Sequence, residues 1–272
     1  MNVAFDFGIT NTDVAINNNS KNQFFTFPTE EIDKKFITKI LNSIEVNLNE
    51  IKNIAVTGGK SDNLDDEFMS IPVAKINEID AIGKGVKELY KTGDNPFVAI
   101  SAGTGTACIY HADGKFNYLG GISIGGGTLE GLSKHLINNT NSEKIQELAI
   151  TGNRKELDYL IGDVANEIGS LNSEITASNF AKAKNLDRLS SNDVAASITN
   201  MIGEVIGTVA YLNAMLCSEN KVYFLGRVSL NTNIKKAIEN RLKLANITGI
   251  FEDNREYANV LGALVYLKDK IT

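Results

Sequence analysis

The amino-acid sequence predicts an α/β protein built from two duplicated lobes that face each other across a cleft. Three features of the 272-residue chain lead to that fold class. Strand-like apolar runs alternate with helix-like segments, which layers helices on sheets. The order of elements begins again after the Gly93–Pro96 punctuation, the mark of an internal duplication. Each half also opens in the same way: an apolar strand runs into Gly-x-Thr, as DFGIT at 6–10 and GTGT at 103–106, and a second strand follows at once.

The first half, residues 1–92, begins with apolar runs near 3–7, 13–17 and 23–27 that form a meander of strands. A helix is expected over about 31–48, where apolar residues recur at helical spacing. NIAVTGG at 53–59 is a strand ending in a glycine turn, and AIGKGVKELYK at 81–91 is a helix. The second half, residues 93–272, repeats the meander near 97–102, 106–111 and 115–119, then enters a helix at 128–138 through a glycine-rich turn. Helical segments run from there to about 216 as an insertion. A strand at 221–226, a helix at 232–245, a short strand at 248–251 and a last helix at 257–270 complete the lobe. Within the insertion, 193–216 is apolar on several faces, which marks a buried helix.

Composition narrows the partners. A formal net charge of −6 without a basic stripe speaks against a nucleic-acid footprint and leaves small molecules. No apolar run reaches the roughly 18 residues of a membrane span, so no membrane partner is expected. The N-terminus reads as a strand rather than a secretory leader, so a cytoplasmic location is expected. Cys108 and Cys217 lie in apolar settings with no Cys-x-x-Cys spacing, so they read as buried thiols rather than a disulfide or zinc site.

The matched glycine turns carry the first functional expectation. Glycine lets a backbone approach a ligand closely, and exposed amides and Thr hydroxyls donate to phosphate oxygens. Gly8, Thr10 and Asn11 on one lobe and Gly103, Thr104, Gly105 and Thr106 on the other are expected to grip a polyphosphate from two sides. Each turn alone also reads as a tight hairpin; their corresponding positions favour the phosphate reading. A third glycine site, GGISIGGGT from Gly120 and Gly121 to Gly125, Gly126, Gly127 and Thr128, leads into a helix whose N-terminus suits an anion. Close packing against another segment is the alternative for its three consecutive glycines. Asp6, at the end of a buried strand beside the first turn, needs a cation or donors; Mg²⁺ held through waters fits, with an Asx-turn as the alternative.

Together these stretches resemble the ATP-binding fold of actin, hexokinase-like sugar kinases and Hsp70-type chaperones, and within it the type II, eukaryotic-like "fumble" pantothenate kinases. DFGITNT, VTGG, INEIDAIGKG, SAGTGT, GGISIGGGTLEGL, ITASNFAKA and VYFLGRVSLN carry the likeness over nearly the whole chain. The resemblance implies two ribonuclease-H-like lobes around a nucleotide cleft, and ATP- and Mg²⁺-dependent phosphorylation of a primary hydroxyl. It makes Glu78 the general base, with Asp80 as a helix N-cap or an orienting partner. It puts Thr106, Gly126 and Gly127 along the nucleotide phosphates, with Gly226 and Arg227 nearer the adenosine. Gly120, Gly121, Ala177, Ser178 and Asn179 would lie toward the acceptor, and the apolar helix at 193–216 would serve a homodimer.

Three departures from that pattern set further expectations. Ile9 replaces the second glycine of the first turn. Asp13 stands where relatives carry a lysine, so another cation, Lys60, Lys84 or Arg227, is needed near the phosphates. Tyr118 replaces an arginine that engages the acid acceptor; it cannot pair bidentately with a carboxylate, which opens the way to pantetheine or another uncharged alcohol. A nucleotide-binding module without turnover is a further reading. An activator ATPase of the radical dehydratase systems is disfavoured, because the two cysteines form no paired cluster motif.

Overall fold

The computed structural model describes residues 1–18, 21–59, 61–165 and 173–271. In β1 (Asn2–Phe7) alternate side chains part to two faces, as period-two packing requires, and both faces are covered. It pairs antiparallel with β2 (Asn11–Asn18), which pairs antiparallel with β3 (Lys21–Pro28). The helix α1 (Lys34–Ser43) follows, its first turn capped by the Asp33 carboxylate accepting from the Phe36 N–H at 2.8 Å. This helix is shorter than the expected 31–48. It ends before Glu45, which takes a left-handed conformation (φ 56°) no helix can continue through.

Next come β4 (Asn53–Gly58), the short β5 (Glu67–Phe68), β6 (Ile71–Lys75) and α2 (Glu78–Tyr90). The sheet order is β3-β2-β1-β4-β6-β5, with β1, β4 and β6 parallel. Sequence reading gave no strand at 71–75, where Pro72 interrupts a short run; here the Pro72 position faces the two-residue edge strand β5.

The second half repeats this plan. β7 (Phe97–Ala102), β8 (Thr106–Ala112) and β9 (Lys115–Ile122) form the meander. The helices α3 (Gly126–Ile137) and α4 (Ser142–Thr151) come next, then β10 (Tyr159–Leu160), α5 (Ile161–Val164) and β11 (Thr176–Ser178). The chain continues through α6 (Ser191–Leu216), β12 (Lys221–Leu225), α7 (Thr232–Lys243), β13 (Thr248–Ile250) and α8 (Ala258–Ile271). The second sheet runs β13-β12-β7-β8-β9, with β12 parallel to both neighbours. Meander, parallel central strand and parallel outer strand therefore recur in the same spatial order in both sheets. That recurrence is the duplication read from the sequence.

Four cores hold the layers. Phe36, Ile37, Ile40 and Leu41 of α1 bury against Val3, Phe5 and Phe7 on one face of the first sheet. On its other face Ala4, Ala15 and Ala55 receive Val260, Ala263 and Leu264, so α8, from the far end of the chain, completes the first lobe. One side of the second sheet packs on α6 and α7 through Ile198, Ile202, Ile206, Ile234 and Ile238. Its other side meets Ile82 and Val86 of α2. α2 and α8 thus lie between the sheets and cross closely: a Cβ on Gly85 would sit 2.0 Å from the Ala258 oxygen, and one on Gly262 1.9 Å from the Ala81 oxygen. Any side chain at either position would push the lobes apart. α6 is long and apolar enough to cross a membrane, but most of it is buried among its neighbours, as a core helix is.

Candidate active site

The ends of the two sheets enclose a cleft of about 1170 Å³, lined from both lobes. The two Gly-x-Thr turns meet inside it. The Thr10 and Thr104 hydroxyls lie 3.1 Å apart, although 94 residues separate them in the chain. The first turn is closed by the Gly8 N–H donating to the Asn11 oxygen at 3.0 Å. Thr29 braces it from behind, its hydroxyl donating to the Gly8 oxygen at 2.8 Å and its N–H to the Thr10 oxygen at 3.0 Å. Ile9, the departure noted in the first turn, sits at the tip, 82% exposed, and lines the cleft.

The second turn is welded to the start of α3. Gly126 N–H donates to the Gly103 oxygen at 2.8 Å and Gly127 N–H to the Thr104 oxygen at 3.0 Å. A Cβ on Gly125 would lie 2.7 Å from both those oxygens, so this glycine serves close docking and is not part of the cleft lining. The Thr106 hydroxyl is likewise committed, donating to the Ile124 oxygen at 2.7 Å. Thr106, Gly126 and Gly127 line the cleft, with these donors engaged inside the protein. Their bonds build the turn that presents Gly103, Thr104 and Gly105.

Asp6, Asp13 and Glu78 converge on the floor. Burial pushes the Asp6 carboxyl up to about 7, repulsion from Asp13 and Glu78 adds to it, and a hydrogen bond from Asn259 and the charge of Arg227 oppose it. An acid raised in the folded state leaves stability whole below its unfolded value near 4 and removes it as pH climbs through 7. Asp6→Asn is therefore expected to raise the melting temperature of the ligand-free protein by roughly 5 °C at pH 8. The gain should shrink toward pH 4 and vanish below it. Thermal melts across that range check this; a gain independent of pH would show that Asp6 is not the strained group. An acid so placed suits a cation. Among the described residues no three carboxylate, His or Cys side chains form a metal cage, so an ion at Asp6 would keep mostly water ligands.

Glu78 is the first residue of α2 and lines the cleft. Its place is fixed by Asn77, the N-cap, whose side-chain oxygen accepts from the Asp80 N–H at 2.9 Å while its amide donates to the Asp80 carboxylate at 2.5 Å. Asp80 is thus the partner of the cap and not the cap itself, as three-residue spacing in a helix start dictates.

Asp13 is buried, yet its charge is matched. Arg227, from the turn after β12 in the other lobe, donates Nη1 to Oδ2 at 2.8 Å and Nη2 to Oδ1, a bidentate pair spanning the cleft. Nη2 also donates to the Thr26 hydroxyl at 2.6 Å, and the guanidinium lies over the Tyr257 ring at 5.6 Å. The other candidate cations fare differently. Lys84 is engaged with Asp269 at 2.5 Å, and Lys60 lies outside the described residues.

A β-bulge in β9 shapes one wall of the cleft. Cys108 faces Gly120 while the next residue, Ile109, faces Tyr118, leaving Leu119 unpaired and re-aiming Tyr118. Tyr118 is 58% exposed and lines the cleft with Gly121; Gly120 does not. Ala177 and Ser178 are exposed on β11, which pairs with β10, and Asn179 reaches Glu204 at 3.5 Å; none of the three lines the cleft. The strand β11 belongs to a separate two-stranded sheet with β10.

Thr29, Thr26, Asn259 and Arg255 escaped the sequence reading. Arg255 is buried and holds the turn after β12, donating Nε to the Ser229 hydroxyl at 2.9 Å and Nη2 to the Ser229 oxygen at 3.0 Å. None sits in a motif; each acts on a residue distant in sequence.

Comparisons with known proteins agree with this fold. The model of the Fumble family matches residues 86–264. A type II pantothenate kinase of Bacillus anthracis is 32% identical over 98% of each chain. Pantothenate kinase 1 of Arabidopsis thaliana is 36% identical over 48% of this chain and 37% of its own. Among solved structures, the activator of the 2-hydroxyisocaproyl-CoA dehydratase from Clostridium difficile, with bound ADPNP, superposes with a TM-score of 0.68 at 17% identity, covering 99% of this chain and 94% of that one. A ROK family glucokinase from Streptomyces griseus, in complex with glucose and AMPPNP, gives 0.62 at 13% identity, over 97% and 98%. At such identities these likenesses establish the α/β actin-like ATPase fold.

Proposed function

The chain belongs to the Fumble family, the type II pantothenate kinases, and from that premise we propose that it transfers the γ-phosphoryl group of ATP to the primary hydroxyl of pantothenate. The observation that carries the reading is the meeting of two hydroxyl-bearing glycine turns, one from each lobe, in the cleft that Asp6 and Glu78 also line. Phosphoryl transfer asks a protein for positioning and charge neutralisation more than for covalent chemistry. The Gly8–Asn11 and Gly103–Gly105 turns hold the triphosphate between the lobes. Asp6 would hold a hydrated Mg²⁺, which when bound would offset negative charge on the transferred group. Glu78 takes the proton from the acceptor hydroxyl, a contribution of about 10²–10⁴ in rate. The adenosine end lies toward Gly226 and Val228, which line the second lobe's side of the cleft.

Tyr118 favours a second acceptor. A tyrosine hydroxyl gives one hydrogen bond where a carboxylate is best held by a bidentate cation. Pantetheine, which lacks the acid, suits that wall. ADP release from the pure protein with Mg²⁺ and ATP, measured against pantothenate, pantetheine and a panel of sugars and alcohols, decides between them. Tyr118→Arg is expected to raise kcat/KM for pantothenate about tenfold; no gain would show that the acceptor wall differs more widely. ATP binding without ADP release on any acceptor would make the chain a regulatory nucleotide-binding module. A cytoplasmic homodimer completes the reading, its interface on the exposed end of α6 at Leu212, Met215 and Leu216.

A further inference from the structure

The charge inventory of the cleft is lopsided. Asp6, Asp13, Glu78, Glu130, Glu143 and Glu256 line it, whereas Arg227 is the one Lys or Arg among the described lining residues. A triphosphate entering that field meets repulsion, which a protein cation facing it would relieve alongside Mg²⁺. Arg227 is built to do so. Its side chain is 33% exposed while that of its partner Asp13 is 6% exposed, so the positive end of the pair is the more open to the cleft. A guanidinium has five N–H donors. Two go to Asp13 and one to Thr26, which leaves Nε and the second hydrogen of Nη1 for a ligand.

We propose that Arg227 is the protein cation that receives the nucleotide's phosphates, and that Asp13, with Thr26, is the positioning residue that holds it across the cleft. The cation arrives from the second lobe and its anchor from the first, so phosphate recognition and lobe closure share one contact. Asp13 thereby changes from an obstacle to anion binding into its support. The inference rests on the kinase reading of the cleft and specifies how that cleft takes charge.

The test compares ligands that differ only in phosphate. Calorimetric titration with ATP, ADP and adenosine, in Mg²⁺, is made on the wild type, Asp13→Asn, and the double variant Asp13→Asn/Arg227→Gln, which removes both charges and strands neither. The double variant is expected to bind ATP 10- to 100-fold more weakly, with adenosine unchanged within about threefold. Asp13→Asn, keeping the cation but loosening it, should fall between, and its ATP affinity should be the more sensitive to added salt. Equal ATP affinity in the double variant and the wild type overturns the proposal, as does a parallel loss for ATP and adenosine, which would mark a purely structural clasp. Wild-type protein that binds no ATP at all overturns the kinase reading instead.

Discussion

Replacing Glu78 with glutamine is expected to slow phosphoryl transfer at least a hundredfold while leaving affinity for ATP within about threefold. The substitution keeps the shape of the side chain and removes its ability to take a proton. Nothing else at the start of α2 changes, because the Asn77–Asp80 pair that fixes the helix start does not involve the Glu78 carboxylate. The expected signature is a fall in kcat with the nucleotide dissociation constant preserved, read by ADP release and by direct titration on the same preparation. Near-normal turnover would remove Glu78 from the chemistry. A matching loss of ATP affinity would assign it to binding rather than proton transfer.

The second large effect is structural. Gly226 takes φ +83°, and a Cβ there would stand 2.3 Å from the Ala102 oxygen and 2.6 Å from the Ala102 carbon, backbone atoms of a buried central strand that cannot retreat. The turn is also held by its own bonds, Gly226 N–H to the Arg255 oxygen at 3.1 Å and the Ser229 hydroxyl to the Gly226 oxygen at 2.8 Å. Gly226→Ala therefore combines conformational strain with a clash and should cost about 3 kcal/mol or more, a fall in melting temperature on the order of 10 °C. Because Arg227 is the next residue, nucleotide affinity should fall with it. Gly114→Ala is the control: its φ is +70°, but no atom lies within 4 Å of the added carbon, so it bears strain alone and should cost about 1 kcal/mol. Equal melting shifts for the two variants would show that the close approach to Ala102 does not matter.

Much of this was legible in the residues. The twin turns announced themselves because the same short pattern followed a strand in both halves, and a duplicated pattern predicts a paired site more firmly than either copy does. The lobes followed from the same repetition. What sequence could not supply was the destination of hydrogen bonds. Thr106 and the amides of Gly126 and Gly127 carry the right chemistry for phosphate, yet nearer carbonyls take them. Asp13 read as an unfavourable anion and Arg227 as a possible remedy, but their pairing is a tertiary contact over 214 residues that no local spacing encodes. The return of α8 to the first sheet is hidden for the same reason. Its apolar face predicts burial without naming the partner. The strand at 71–75 is short and carries Pro72, which is tolerated here beside the two-residue edge strand β5.

The central claim is that a nucleoside triphosphate is held between turns contributed by opposite lobes. Calorimetry of the wild-type protein with Mg²⁺ and a non-hydrolysable ATP analogue tests it most directly. One site per chain, bound at least tenfold more tightly than adenosine, is the predicted result. Absence of any binding heat at millimolar analogue, or equal affinity for the analogue and adenosine, would contradict it.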